Sequence, residues 1–107
     1  MDRFNESLYL ADMYKDEYFP DFLIDKIKDL IVDVVQYLES GEHSIKDIQA
    51  KFDDMTEGIN DLQEEFEEND SEIETGARDS IGETIESVIK HFNIGIDCET
   101  AIRNRDW

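Results

Sequence analysis

A chain of 107 residues suits a single domain, and its 29 acids against ten bases leave a formal net charge of −19. That charge is repelled by nucleic-acid phosphates and by anionic membrane surfaces, which excludes direct contact with either. Apolar residues make up 39%, with six Phe, four Tyr and one Trp, so a modest core is available and disorder is not expected.

The spacing is helical almost throughout, strand alternation is missing, and Pro20 is the only proline. Residues 4–15 are expected to form a short helix with Phe4, Leu8 and Ala11 on one face. The aromatic connector DEYFP follows, and Pro20 suits the first turn of the next helix, where a missing N–H costs nothing. That helix runs to about Glu39, with Leu23, Ile27, Leu30, Ile31, Val34 and Leu38 at three- and four-residue steps. Gly41 stands just past its end, as a C-terminal cap.

Ser44, with Asp47 three residues on, opens a third helix in a variant of the capping box. Ile45, Ile48, Phe52, Met55, Ile59, Leu62 and Phe66 then alternate steps of three and four, forming one narrow apolar seam. The seam stops at Asn69-Asp70. Ser71 and Glu74 read as a second capping box, opening a helix with Ile73, Ala77, Ile81, Ile85, Val88 and Phe92 on one face. Asn93 and Gly95 close it, and Asp97 caps a last short helix carrying Ala101 and Ile102. Long helices joined by short turns lie antiparallel to their neighbours. The expected fold is therefore all-α: an up-down-up three-helix bundle with short N- and C-terminal helices, one domain over residues 1–107.

No catalytic or cofactor chemistry is visible in this pattern. An EF-hand begun at Asp70 has Thr75 where glycine is required and Ile81 where the closing glutamate belongs. A di-iron bundle needs Glu-x-x-His, but Ser40 and Val88 stand three residues before His43 and His91. His43 is expected in an exposed turn, and His91 in a last helical turn, where the dipole favours an imidazolium. Cys98, the one cysteine, excludes an internal disulfide and reads as a structural thiol. The expectation is a non-enzyme with no metal and no cofactor. The start, MDRFNESLYLADMY, carries acids where a signal peptide has a basic run, and no stretch approaches the ~20 apolar residues of a membrane span. A cytoplasmic location is expected.

The distinctive chemistry is negative charge. Between Lys51 and Arg78 lie twenty-six residues with eleven acids and no base. Asp54, Glu57, Asp61, Glu64 and Glu68 are themselves spaced three and four apart, a carboxylate ridge opposite the seam, flanked by Asp53, Glu65 and Glu67. Elsewhere the sequence supplies intrahelical pairs, Asp47 with Lys51 and Glu86 with Lys90; on the ridge it supplies none. Like charges one turn apart cost ~0.2–0.5 kcal/mol per pair, so the ridge costs on the order of 1–2 kcal/mol. A second candidate is MYKDEYFPDF, residues 13–22. Its Tyr14 and Tyr18 are interface candidates, while Phe19 and Phe22 are expected to staple the helix entry into the core.

The expected partner-binding set is Asp54, Glu57, Asp61, Glu64, Glu65 and Glu68 with Tyr14 and Tyr18. The leading expectation is an acidic module of inhibitor or immunity type that neutralises a basic protein, such as a toxin, a nuclease or another nucleic-acid-binding protein. A DNA mimic in a cationic groove is the second, since carboxylates ~6 Å apart along a helix approach the spacing of phosphates on one strand. A helical oligomer or scaffold is the third, with the oligomeric state open. The plain alternative is a solvated face with no partner.

MYKDEYFPDFL, followed by NDLQEEFEENDSEIET and a terminal RDW, resembles a small bacterial family catalogued only as a domain of unknown function (family 5713). The likeness runs from about Tyr9 to Trp107. It implies a compact bacterial cytosolic protein and carries no activity, ligand or functional residue to transfer. The opening MDRFNES departs from the family's longer N-terminal lead.

Overall fold

The computed structural model describes residues 4–107. A 3-10 turn at Glu6–Leu8 leads into α1 (Ala11–Lys15), α2 (Asp21–Glu39), α3 (Ile45–Glu68), α4 (Thr75–His91) and α5 (Cys98–Ala101). None of the described residues lies in a strand. The three long helices pack together as an all-α bundle closed by the short helices.

Most helix ends lie where the local chemistry places them. The Pro20 carbonyl accepts from the N–H groups of Leu23 (3.0 Å) and Ile24 (3.1 Å), starting α2. Gly41, at φ +146°, turns the chain out of it in a conformation that side chains rarely adopt. Ser44 Oγ accepts from the Asp47 N–H at 3.1 Å, capping α3. At the far end of α3, Asp70 takes a left-handed φ of 58°. The Ser71 N–H then returns to the Phe66 carbonyl at 2.9 Å, satisfying an otherwise orphaned acceptor. Asn93 (φ 53°) closes α4 in the same way, with Ile94 N–H on the Ile89 carbonyl at 2.9 Å. The Asp97 carboxylate caps α5 by accepting from the Thr100 N–H at 2.7 Å.

The expected capping box at Ser71 does not form. The left-handed turn at Asp70 commits Ser71 to closing α3, and its side chain is buried. α4 starts later, and Glu74 is itself the cap, its Oε1 accepting from the Gly76 N–H at 3.1 Å. Glu72 thus lies outside the helix.

The N-terminal expectation also needs correction. Leu10 adopts a left-handed conformation (φ 50°, ψ 38°), which divides residues 4–15 into the 3-10 turn and the five-residue α1. Leu8 is consequently exposed and Ala11 half-buried, and the buried side chains are Phe4, Tyr9, Leu10 and Met13. Such a backbone is costly for a branched residue, and it is held by Thr84 on α4. The buried Leu10 N–H donates to Thr84 Oγ1 at 3.0 Å, while that hydroxyl has the Ser80 and Leu8 carbonyls at 3.0 and 3.1 Å as acceptors. Thr84→Val keeps the volume and removes the acceptor. It is expected to lower stability by ~1–3 kcal/mol, the cost of an orphaned buried donor, read as a lower urea midpoint at unchanged m.

α2 and α3 pack closely along their lengths. They approach closely at Gly58, where a Cβ would meet Leu30 Cδ2 at 2.9 Å. Leu23, Ile24, Ile27 and Ile31 of α2, Phe52, Ile59 and Phe66 of α3, and Ile81 and Ile85 of α4 are fully buried. α4 carries α1 and α5 on its flanks. The α3 seam is intact except at Ile45, the first residue of the helix, which is half exposed, and at Leu62, which is half-buried.

Candidate acidic docking site

Turning the seam of α3 inward places Asp54, Glu57, Asp61, Glu64 and Glu68 outward, and all five are exposed. At 1.5 Å rise per residue they span ~21 Å. The cations nearest in the fold are engaged beside the ridge. Lys26 Nζ on α2 holds Glu65 Oε2 at 2.5 Å. Arg103 holds Asp53 with two bonds, Nη2–Oδ2 at 2.8 Å and Nε–Oδ1 at 3.2 Å. Lys51, placed in sequence to answer Asp47, lies over the Tyr37 ring at 5.3 Å, whereas the expected Glu86–Lys90 pair does form, at 3.6 Å. Among the described residues no ion pair reaches any of the five ridge carboxylates. Glu65, expected on the docking surface, is instead half-buried and balanced by Lys26. The Arg103 bonds, and then the Gln49 amide at 2.9 Å, hold the Asp53 carboxyl below the usual carboxylate range.

The aromatic candidates separate. The Tyr14 hydroxyl donates to Asp25 Oδ1 at 2.6 Å, strapping α1 to α2. Burial, and then that bond, hold its phenol protonated well above the ordinary range. Tyr14 is therefore a structural tie, while Tyr18 remains exposed with its ring edge-on to Phe19 at 5.1 Å. Phe19 is buried as expected. Phe22 is not: it is 50% exposed, because it lies one residue off the stripe that Leu23 and Ile27 carry into the core. It lines an open groove with Asp61, Glu64, Glu65, Glu68 and Asn69, which neither Tyr14 nor Tyr18 joins. The signal for this was present in the sequence, since the positions three and four residues on, Asp25 and Lys26, are charged.

Tyr9 behaves like Tyr14. Burial, and then the charges of Glu6 and Glu39, push its phenol up to about 12. A phenol raised in the folded state supports folding fully below about pH 10 and loses that support as pH climbs through its folded value. An alkaline absorbance titration is expected to show Tyr9 and Tyr14 ionising late, Tyr9 at about pH 12, together with unfolding. Ionisation of Tyr9 and Tyr14 near the ordinary phenol value, ahead of unfolding, contradicts this placement.

A family model described as a family of unknown function, DUF5713, matches residues 3–107. The chain belongs to that family. The DUF5713 match takes in every helix, so the ridge, Phe22 and the Tyr14 strap all lie within the family's span. Its description assigns no activity. No curated protein and no solved structure matches the sequence.

The remaining reactive groups of this DUF5713 chain sit within its packing. His43, expected to be exposed, is half-buried: its ring stacks on Tyr37 at 3.8 Å, and Nε2 donates to the Tyr37 carbonyl at 2.8 Å. His91 packs edge-on against Phe4 and Phe92. The half-buried Cys98 thiol donates to the Gly82 carbonyl at 3.5 Å. Burial, and then the charges of Glu86 and Glu99, push its pKa up, away from a reactive thiolate. Among the described residues no group of three or more His, Cys, Asp and Glu side chains is placed to hold a metal ion. No described helix is long and apolar enough to cross a membrane.

Proposed function

We propose that this protein is an acidic protein-binding module that neutralises a basic partner, in an inhibitor- or immunity-type role without catalysis. The observation that carries the reading is the exposed row Asp54, Glu57, Asp61, Glu64 and Glu68, which no ion pair reaches among the described residues although cations stand on both sides of it. A face of one sign accelerates encounter with a cationic surface and rejects anionic ones. The fitting partner is a basic protein such as a toxin, a nuclease or another nucleic-acid-binding protein.

Affinity capture with three forms of the chain tests the reading. One is unaltered. One carries Asp54→Lys, Glu57→Lys, Asp61→Lys and Glu64→Lys. The third, with the same net charge, reverses four exposed carboxylates elsewhere: Glu42, Glu72, Asp79 and Glu83. A basic protein is expected on the first and third at low salt, released at high salt, and absent from the second. Equal capture by all three, or equal loss from both variants, overturns the ridge as the docking face.

The regular spacing of the row supports a second reading, a DNA mimic lying in a cationic groove. It predicts that DNA competes for the captured partner, with steep salt dependence. A partner that holds DNA and this protein at once excludes it.

A further inference from the structure

We infer that Phe22 anchors the docking face and receives an arginine side chain of the basic partner. This rests on the reading above and specifies the chemistry of its partner. The groove joins two elements far apart in sequence: an exposed ring on the first turn of α2, and Asp61, Glu64, Glu65 and Glu68 on the last turns of α3. Four carboxylates meet one ammonium there, that of Lys26 on Glu65. A large exposed ring beside charged side chains is a common anchor of an interface, aromatic residues being enriched at hot spots.

The walls decide what fits. An aliphatic side chain laid on Phe22 would desolvate the carboxylates and return no hydrogen bond. A lysine ammonium answers the carboxylates, but it is a strongly hydrated point charge with no flat face. A guanidinium stacks on the ring and donates in its plane to the carboxylates around it. The other half-exposed hydrophobic side chain on a long helix, the aliphatic Ile45, makes the contrast. Ile45 borders a cavity of about 340 Å³ of mixed lining, Leu38, Ile48, Phe92 and Ile94 beside His43 and Asn93, where Glu42 is the one carboxylate. Nothing there selects a cation.

The test uses two peptides of equal length and charge, one with arginine and one with lysine at the same positions, titrated into the isotope-labelled full chain. The arginine peptide is expected to bind about twofold tighter, a part of the surface cation–π contact that the more strongly hydrated ammonium makes less well, with amide shifts centred on Phe22, Asp61, Glu64 and Asn69. Phe22→Ala should weaken the arginine peptide more than the lysine peptide and bring the two to equal affinity. Phe22→Trp should widen the preference, since indole is the better face, and this gain of function cannot arise from misfolding. Equal affinities for the unaltered chain, or a preference that survives Phe22→Ala, overturn the assignment. If both peptides nevertheless depend on Asp54, Glu57, Asp61 and Glu64, the ridge reading stands without the anchor. If reversing those four changes neither peptide's affinity, both readings fall.

Discussion

Phe52→Ala is expected to cost about 3–5 kcal/mol, a large part of the ~5–15 kcal/mol that holds a typical domain together. Phe52 is fully buried within the α3 seam, on the helix that meets both α2 and α5. Its truncation removes a large apolar area from the core and leaves a cavity that straight helices cannot close. The urea midpoint should fall at unchanged m, and the melting temperature by roughly 15 °C or more. Phe22→Ala, the same chemical change thirty residues earlier, is expected to stay within ~0.5 kcal/mol, because its ring is already half in water. Equal costs at the two sites would contradict the placement of Phe22 outside the core.

The second large effect has opposite signs for folding and for binding. In the double variant Glu57→Lys with Glu64→Lys, each new ammonium falls between ridge carboxylates one turn away on either side. Four repulsive pairs become four attractive ones, a swing on the order of 2 kcal/mol in favour of the fold at low salt. The gain should shrink as salt rises, because exposed charges are screened. The same change places like charge against a cationic partner and is expected to weaken its binding on the order of 100-fold. Denaturation at two salt concentrations and the affinity for a captured partner measure the two sides. A stabilised variant that still binds with full affinity would make the ridge a solvated face and nothing more. A stabilised variant that no longer binds would show a surface maintained against the stability of its own helix, as functional sites often are.

The parts whose hydrogen bonds close within a few residues can be read along the chain. The seams of α2, α3 and α4, the caps at Ser44 and Asp97, and the turns at Gly41 and Asn93 each follow from contacts between residue i and residues up to i+5. The outward direction of the carboxylate row also follows, because burying Phe52, Ile59 and Phe66 leaves the opposite face of α3 no other place. What the tertiary structure alone decided depends on residues far apart in the chain. Leu10 bends left-handed against Thr84, 74 positions away. Glu65 is neutralised by Lys26 and Asp53 by Arg103, 39 and 50 positions away. Two further features, by contrast, are local: Ser71 closes α3 on the Phe66 carbonyl five residues back instead of capping α4, and Phe22 lies off the apolar stripe, as the charged Asp25 and Lys26 mark. Local geometry repeats every 3.6 residues and can be read along a chain. Charge balance and exposure belong to pairs of elements and exist only once those elements have packed.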